Sequence, residues 1–234
     1  MTGINAIVLA GDSRKGSIQE GVDNKSFLPI NGKPMVEYVL DALRESPLIN
    51  KISIIGPSDL LKEHLGVKID HYMEDRGSLF DNVKAGTKPF ANDQAVLIVT
   101  SDIPMITGWM ITDFVQRCMD QGGDFCYPIV EKKLNEKRFP GVERTYIRLK
   151  DGTYTGGNVI YLNPAVIGSC EEFAKKIIAF RKQPLKTGKM LGVKFLAGLM
   201  LGMLTVPKVE ERFRKLLNIQ ASAIIVSYPE IGND

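Results

Sequence analysis

Two uninterrupted apolar runs constrain the fold of this chain more than any other feature. Residues 6–9 read Ala-Ile-Val-Leu and residues 95–99 read Ala-Val-Leu-Ile-Val, with no polar residue to face solvent. A strand with this pattern is covered on both faces, as in parallel sheets flanked by helices. The runs therefore predict an α/β fold in which both segments are interior strands of one sheet.

Strand-like runs alternate with helical patterns along the first half of the chain, which is typical of a parallel sheet. Pro34 fits the first turn of a helix predicted over residues 35–45, where apolar residues recur at helical spacing. Ser78 and Asp81 have the spacing of a capping box, so a second helix is expected over residues 79–86. The predicted strands cover residues 6–10, 51–55, 69–73, 95–100 and 124–128.

The pattern changes after Pro128. An Asp151-Gly152 pair stands between two extended runs, and this pair is typical of a hairpin turn. We expect residues 129–162 to form an insertion that carries antiparallel strands at one side of the sheet. The length of 234 residues and the 44% hydrophobic content suit a single domain over residues 1–234 with a sizeable core.

Composition narrows the chemistry available to the chain. The 30 basic and 27 acidic residues are dispersed and give a net charge of +3, so a nucleic-acid partner is not expected. Cys118, Cys126 and Cys170 lack the spacing of a metal site and are expected to be reduced, buried thiols of a cytoplasmic protein. With only two histidines, catalysis would rest on carboxylates, cations or a metal.

Residues suited to binding phosphate and metal follow the two apolar runs. Gly11 ends the first run and precedes Arg14 and Lys25, whereas Asp102 follows the second run. Ligands of open α/β sheets bind beyond the carboxyl ends of the strands, where backbone N–H groups and cations suit a polyphosphate and a carboxylate suits a divalent ion. The alternatives are that Arg14 and Lys25 are solvated surface cations and that Asp102 caps the following turn.

Five segments carry a resemblance to a known family. In chain order they are IVLAGDSR, NKSFLPINGKPMVEYVLDAL, VTSDIPMIT, RTYIRLKDGTYTGGNVIYLNP and SYPEIGND. Over nearly its whole length the chain resembles the MobA-like nucleotidyltransferases. The resemblance implies a Rossmann-like, three-layer α/β/α fold with a mostly parallel sheet. It also implies a Mg²⁺-dependent enzyme that transfers a nucleoside monophosphate from CTP or GTP to a phosphorylated small-molecule acceptor and releases pyrophosphate.

The same resemblance assigns roles to individual residues. Arg14 and Lys25 take catalytic roles by binding phosphate, and Asp102 takes one by ligating Mg²⁺. The remaining assignments are nucleotide contacts at Leu9, Ala10, Gly11, Gly77 and Ser78, acceptor contacts at Gly156, Gly157 and Asn158, and a second metal contact at Asp234.

Structural alternatives remain for several of these positions. One alternative is that Gly77 is present only to make the turn and Ser78 only to cap the helix. For the paired glycines 156–157, the alternative is a β-bulge. Asp12 stands where the family has a second glycine, and Asp234 corresponds to the first aspartate of the family's Asp-x-Asp pair. Two other functions are therefore kept open: a catalytically silent nucleotide-binding module, and a glycosyltransferase that uses a sugar nucleotide.

Residues 190–206 contain one charged residue, Lys194, inside a helical segment expected over residues 186–217. About seventeen residues is the lower limit for a membrane span, and the Gly198-x-x-x-Gly202 spacing suits close helix contact. We expect a buried or homodimer-forming helix. A membrane-surface element, favoured by the flanking cations, and a span are the alternatives. The expected location is the cytoplasm, at the membrane periphery if the surface alternative holds.

Overall fold

The computed structural model describes residues 3–11, 24–66, 69–180 and 190–233. In these ranges the strands are β1 Ile4–Leu9, β2 Pro29–Ile30, β3 Lys33–Pro34, β4 Ile49–Gly56, β5 His71–Glu74, β6 Val96–Thr100, β7 Phe125–Glu131, β8 Ile147–Leu149, β9 Gly152–Gly156, β10 Val159–Leu162 and β11 Ala221–Val226. The α-helices are α1 Met35–Glu45, α2 Ser58–Leu65, α3 Leu79–Gly86, α4 Gly108–Gln121, α5 Lys132–Arg138, α6 Ile167–Phe180, α7 Val193–Met200 and α8 Val206–Leu217.

One sheet contains all of these strands except the small β2–β3 hairpin. Strands β5, β4, β1 and β6 are neighbours in that order and pair in parallel, and β11 is parallel to β7. The five strands predicted from sequence are all present, with ends that differ by a few residues. Both predicted helices, α1 and α3, have the expected bounds.

Alternate residues of the interior strands pack into two separate cores. Ala6 and Val8 of β1 lie in a cluster with side chains of α1, α2 and α4. Ile7 and Leu9 lie in a second cluster with side chains of α3 and α6. The sheet is therefore covered on both faces, which confirms the three-layer α/β prediction.

The sheet forks at Gly157. Strands β10 and β9 pair antiparallel with successive stretches of β7, the first with Phe125 and Cys126 and the second with Ile129 to Glu131. On their other side β10 pairs with β6, whereas β9 pairs with β8. At Gly157, therefore, the chain changes its second neighbour from β8 to β6 while it stays paired with β7.

The insertion predicted over residues 129–162 has the expected antiparallel strands and the expected hairpin turn between β8 and β9. Its position differs from the prediction in one respect. The apolar strand β10 lies inside the sheet, between β6 and β7, and is not at the side of the sheet. Tyr161 of β10 is buried in the same core as Leu97 of β6, which explains this placement.

Side chains cover part of the outer edge of β11, which pairs only with β7 among the described strands. Arg214 Nε donates to the Ala221 carbonyl at 3.0 Å, and Ala223 N–H donates to Glu210 Oε1 at 2.7 Å. Arg117 Nη1 reaches the Ile225 carbonyl at 3.3 Å. These bonds occupy main-chain groups that an added strand would need.

The expectation of a buried helix over residues 190–206 is wrong for this chain on its own. Gly192 and Gly202, with φ of +101° and +63°, bound α7, and none of the eight residues of this helix is buried. Residues 186–189 lie outside the described residues. Among the helices described, none has both the length and the apolar character needed to cross a bilayer.

We predict that Leu97→Ala lowers the free energy of unfolding by about 3 kcal/mol, because it leaves a cavity in the central strand β6. The matched variant Ile225→Ala should cost less than about 1 kcal/mol, because Ile225 is 50% exposed whereas Leu97 is fully buried. Urea unfolding followed by circular dichroism measures both. Equal losses in the two variants would contradict the assignment of β6 to the core.

Candidate functional site

The Ala10 carbonyl oxygen, just beyond β1, anchors the short 3₁₀ helix Lys25–Phe27. Asn24 Nδ2 donates to this oxygen at 2.8 Å and Ser26 Oγ at 3.4 Å. Asn24 Oδ1 in turn accepts from Ser26 N–H at 2.8 Å. Asn24 and Ser26 are both buried, so these bonds are shielded from water and hold Lys25 at the end of β1.

The same 3₁₀ helix contacts the end of β6. Ser26 Oγ lies 2.8 Å from Ser101 Oγ, and Lys25 Nζ donates to Asp102 Oδ2 at 2.9 Å. The contact is possible because β1 and β6 are parallel neighbours, with Leu9 opposite Thr100. The lysine and the carboxylate that the sequence places 77 positions apart therefore meet in one ion pair, whose side chains are 21% and 24% exposed.

Two polar atoms at this edge have no hydrogen-bond partner among the described residues. They are Asp102 Oδ1 and Thr100 Oγ1, and both are buried. Keeping a carboxylate oxygen from water without a partner is costly, and a hard divalent cation satisfies such an oxygen. No group of three His, Cys, Asp or Glu side chains in the described ranges is arranged to hold a metal. Asp102 thus offers one ligand, which suits Mg²⁺, an ion commonly held by one or two carboxylates together with substrate phosphates.

Gly11 lies against the loop that follows β5. A Cβ at this position would be 2.6 Å from Asp75 Oδ2 and 2.8 Å from Asn82 Nδ2, so a larger residue would displace these two side chains. Asp75 Oδ1 accepts from Gly77 N–H at 2.7 Å and from Asn82 Nδ2 at 2.9 Å, which fixes the loop. Gly11 and the loop that carries Gly77 and Ser78, all of them predicted nucleotide contacts, are therefore neighbours.

Gly77 and Ser78 both have structural duties. Gly77 has a φ of +79°, a conformation that favours glycine. Ser78 caps α3: its hydroxyl accepts from Asp81 N–H at 3.1 Å and donates to Asp81 Oδ2 at 2.6 Å. The turn and cap alternatives are thus realised. Contact of these two residues with a nucleobase stays a prediction.

The paired glycines 156–157 lie at the fork of the sheet. The Gly156 carbonyl accepts from Arg144 Nη2 at 2.9 Å, and the Gly157 carbonyl accepts from the Tyr127 hydroxyl at 2.8 Å. Burial raises the pKa of Tyr127, so the phenol keeps the proton that it donates. A Cβ on Gly157 would lie 2.8 Å from Pro128 Cγ, so packing alone requires glycine there.

Asn158 connects three parts of the site through its main chain. Its carbonyl accepts from Thr100 N–H at 3.1 Å, and its N–H donates to the Ile231 carbonyl at 2.9 Å. The side chain is half-buried, and no described residue hydrogen-bonds its carboxamide. Of the three predicted acceptor contacts, Asn158 is the one with a side chain available to a ligand.

Two predicted site residues, Arg14 and Asp234, lie outside the described residues, as does Asp12. The chain before Asp234 is firmly held. Asn233 is buried, and its Nδ2 donates to Asn135 Oδ1 at 2.9 Å and to the Pro229 carbonyl at 2.7 Å. The 3₁₀ helix Pro229–Gly232 is thereby fixed against the fork.

Comparison with known proteins gives the family. The sequence model of the MobA-like NTP transferase domain matches residues 6–188. The chain belongs to this family. The match includes Lys25, Asp102 and the fork at Gly157, whereas the 3₁₀ helix Pro229–Gly232 lies beyond it.

Known relatives agree with this membership. A solved structure described as a hypothetical transferase from Thermus thermophilus is 33% identical, has a TM-score of 0.86, and covers 100% of this chain and 96% of its own. The 2-C-methyl-D-erythritol 4-phosphate cytidylyltransferase of Clostridium acetobutylicum is 25% identical over 129 residues, 52% of this chain and 56% of that protein. The bifunctional protein GlmU of Enterococcus faecalis is 29% identical over 105 residues, 44% of this chain and 22% of that protein. This chain thus spans about half or less of the curated relatives that it matches.

Sequence reasoning missed the residues that position the ion pair of this MobA-like domain. Asn24, Ser26 and Ser101 were not predicted as site residues, although they determine where Lys25 lies. One signal was present, because an Asn or Asp side chain often bonds the backbone two residues later, as Asn24 does to Ser26. The partner of that turn, the Ala10 carbonyl, cannot be read from sequence.

We predict that Asn24→Ala lowers the free energy of unfolding by about 2 kcal/mol, because it removes buried hydrogen bonds at Ala10 and Ser26. The control Asn50→Ala removes an exposed bond to the Gly3 carbonyl and should cost about 0.5 kcal/mol or less. Urea unfolding gives both values. A loss in Asn24→Ala no larger than in the control would contradict the anchoring role.

Proposed function

We propose that this protein is a Mg²⁺-dependent nucleotidyltransferase that transfers a nucleoside monophosphate from CTP or GTP to a phosphorylated small-molecule acceptor. The observation that carries the proposal is the contact of Lys25 with Asp102 beside the unpartnered Asp102 Oδ1. Membership of the MobA-like NTP transferase family and the similarity to a cytidylyltransferase support it. The substrates are small polar metabolites, so the reaction would take place in the cytoplasm.

The reaction forms one bond and breaks another at the α-phosphorus of the triphosphate. An oxygen of the acceptor phosphate attacks this phosphorus, the bond to the bridging oxygen of the β-phosphate breaks, and the electron pair leaves with pyrophosphate. Negative charge on both reactants opposes the approach, so catalysis consists mainly of positioning and charge neutralisation. Lys25 would bind the phosphates with its ammonium group, together with backbone N–H groups near Gly11 and the predicted phosphate ligand Arg14.

Asp102 would hold the Mg²⁺ ion, with Asp234 as a proposed second ligand. When bound, the ion supplies positive charge that neutralises the phosphate oxygens. Lys25 occupies Asp102 Oδ2 in the structure, so a metal and this lysine compete for the same carboxylate. A bound triphosphate would offer its oxygens to the Lys25 ammonium group, which would leave the Asp102 carboxylate to hold the metal.

From the order of the strands we infer a donor side and an acceptor side. Gly77 and Ser78 follow β5 at one end of the sheet, whereas Gly156, Gly157 and Asn158 lie at the fork toward β8. The Lys25–Asp102 pair lies between them, at the ends of β1 and β6. We assign the nucleobase to the first side and the acceptor to the second, where the Asn158 carboxamide can both donate and accept hydrogen bonds.

Ligand-induced stabilisation followed by turnover tests the proposal. CTP and GTP, each with and without Mg²⁺, are compared by thermal unfolding, and pyrophosphate release is then measured over a set of sugar and alcohol phosphates. Mg²⁺-dependent stabilisation with pyrophosphate release supports nucleotidyl transfer. Stabilisation without release by any acceptor favours a silent binding module, and release of a nucleoside diphosphate from a sugar nucleotide favours a glycosyltransferase.

We predict that Asp102→Asn lowers kcat by about a hundredfold or more, because it removes the charge that binds the metal while hardly changing side-chain volume. The matched control is Glu172→Gln, which neutralises a 90% exposed carboxylate paired with Lys176 on α6. Its kcat should equal that of the unmodified protein. A pyrophosphate-release rate in Asp102→Asn within twofold of the control would remove Asp102 from the site.

We predict that Lys25→Met weakens triphosphate binding about tenfold or more, because the ammonium group is lost from the phosphate site. Isothermal titration calorimetry with CTP or GTP in the presence of Mg²⁺ measures the dissociation constant. Lys176→Met, which removes an exposed lysine of α6, serves as the matched control. An unchanged affinity in Lys25→Met would show that this lysine has only a structural role beside Asp102.

A further inference from the structure

Helix α7 and the turn after it expose four large apolar side chains. Val193, Met200, Leu201 and Met203 are 74%, 73%, 71% and 61% exposed, within only eleven residues. None of the residues of α7 is buried, although seven of its eight residues are uncharged and nonpolar. Exposed apolar patches of this kind mark surfaces that bind a partner or a membrane. We call residues 193–203 the apolar surface.

The apolar surface is attached to the acceptor-side hairpin. The Leu204 carbonyl accepts from Lys150 N–H at 2.7 Å, next to the end of β8. The Arg148 side chain lies close to Gly202: a Cβ built there would be 3.5 Å from it. On the other side Arg212 Nε donates to the Leu191 carbonyl at 2.6 Å. These bonds hold the run of apolar residues in a defined position on the fold.

Within residues 190–209 the charges are of one sign. Residues 190–209 contain Lys194 and Lys208 and no acidic residue. The neighbouring elements add Arg148, Lys150 and Arg212. Of the nearby acidic groups, Glu210 pairs with Arg214 and Glu211 pairs with Lys215, whereas Asp151 accepts from Val206 N–H at 2.8 Å and leaves the cations in excess. Apolar side chains within a rim of cations are the pattern of elements that bind the surface of anionic membranes.

A second copy of this chain fits the apolar surface less well. A two-fold interface places the same patch of both copies face to face. Lys194 and its cationic neighbours would then oppose their own copies without an acidic partner in residues 190–209. We propose that residues 193–203 dock on an anionic lipid surface, with Val193, Met200, Leu201 and Met203 inserted among the lipid chains and the cations at the headgroups. The proposal does not depend on the nucleotidyl-transfer reaction.

Vesicle co-sedimentation with the whole protein tests this docking. We expect binding to vesicles of phosphatidylcholine with about one third phosphatidylglycerol to exceed binding to pure phosphatidylcholine by roughly tenfold or more, and to weaken with added salt. The double variant Met200→Gln, Leu201→Gln should lose most of the binding, because two of the most exposed apolar side chains are removed. Lys194→Glu should bind anionic vesicles about fivefold or more weakly while its weak binding to neutral vesicles is unchanged.

Two controls make the result decisive. Ile225→Gln alters an exposed apolar residue on β11, outside the apolar surface, and should bind vesicles like the unmodified protein. Thermal unfolding should show that all variants are folded, because the altered side chains are exposed. No binding to anionic vesicles, or equal binding by the double variant and the Ile225→Gln control, would overturn the proposal. A dimer in sedimentation velocity that the double variant abolishes, without vesicle binding, would assign the surface to a second copy.

Discussion

The hydrogen bonds to the Ala10 carbonyl are the constraint on which the rest of the site depends. This oxygen lies just beyond β1, and Asn24 and Ser26, 14 and 16 residues further along the chain, donate to it. Because both side chains are themselves buried, an alternative position for the 3₁₀ helix would leave unpaired polar groups in the interior. Lys25 lies between these two residues and contacts Asp102. The ion pair therefore depends on the hydrogen bonds of Asn24 and Ser26 as well as on the attraction between its own charges.

The fork of the sheet lies next to this ion pair, because the Asn158 carbonyl accepts from the N–H of Thr100, two residues before Asp102. A strand that continued straight from β10 into β9 beside β6 would cover the end of β6. Instead, the Gly157 N–H donates to the Pro128 carbonyl of β7, and the Asn158 carbonyl accepts from the Thr100 N–H of β6. The pairing partner on the side away from β7 therefore changes within two residues. Tyr127, Pro128 and Ile231 pack closely around the paired glycines, which explains the absence of side chains there without a ligand. The fork thus combines a rigid backbone with a position beside the end of β6.

Much of the fold was predictable because the signals are local. The two apolar runs identified the interior strands, and a proline and a capping serine gave the bounds of α1 and α3. The convergence of Lys25 and Asp102 followed from the general rule for the carboxyl ends of parallel strands. The position of β10 and the anchoring by Asn24 depend on partners distant in sequence, and no periodicity encodes them. The expectation of a buried helix over residues 190–206 was wrong because hydrophobic residues are buried only where the fold supplies a covering surface. The helix is also shorter than expected, because Gly192 and Gly202 lie at its two ends.

The covered edge of β11 bears on how copies of this protein meet. Guanidinium groups of Arg117 and Arg214 and the Glu210 carboxylate occupy the main-chain positions through which a foreign strand would extend the sheet. A strand from another molecule could pair with this edge only after it had displaced those side chains. In a crowded cell, β11 is consequently an edge strand that resists pairing with a strand of another copy.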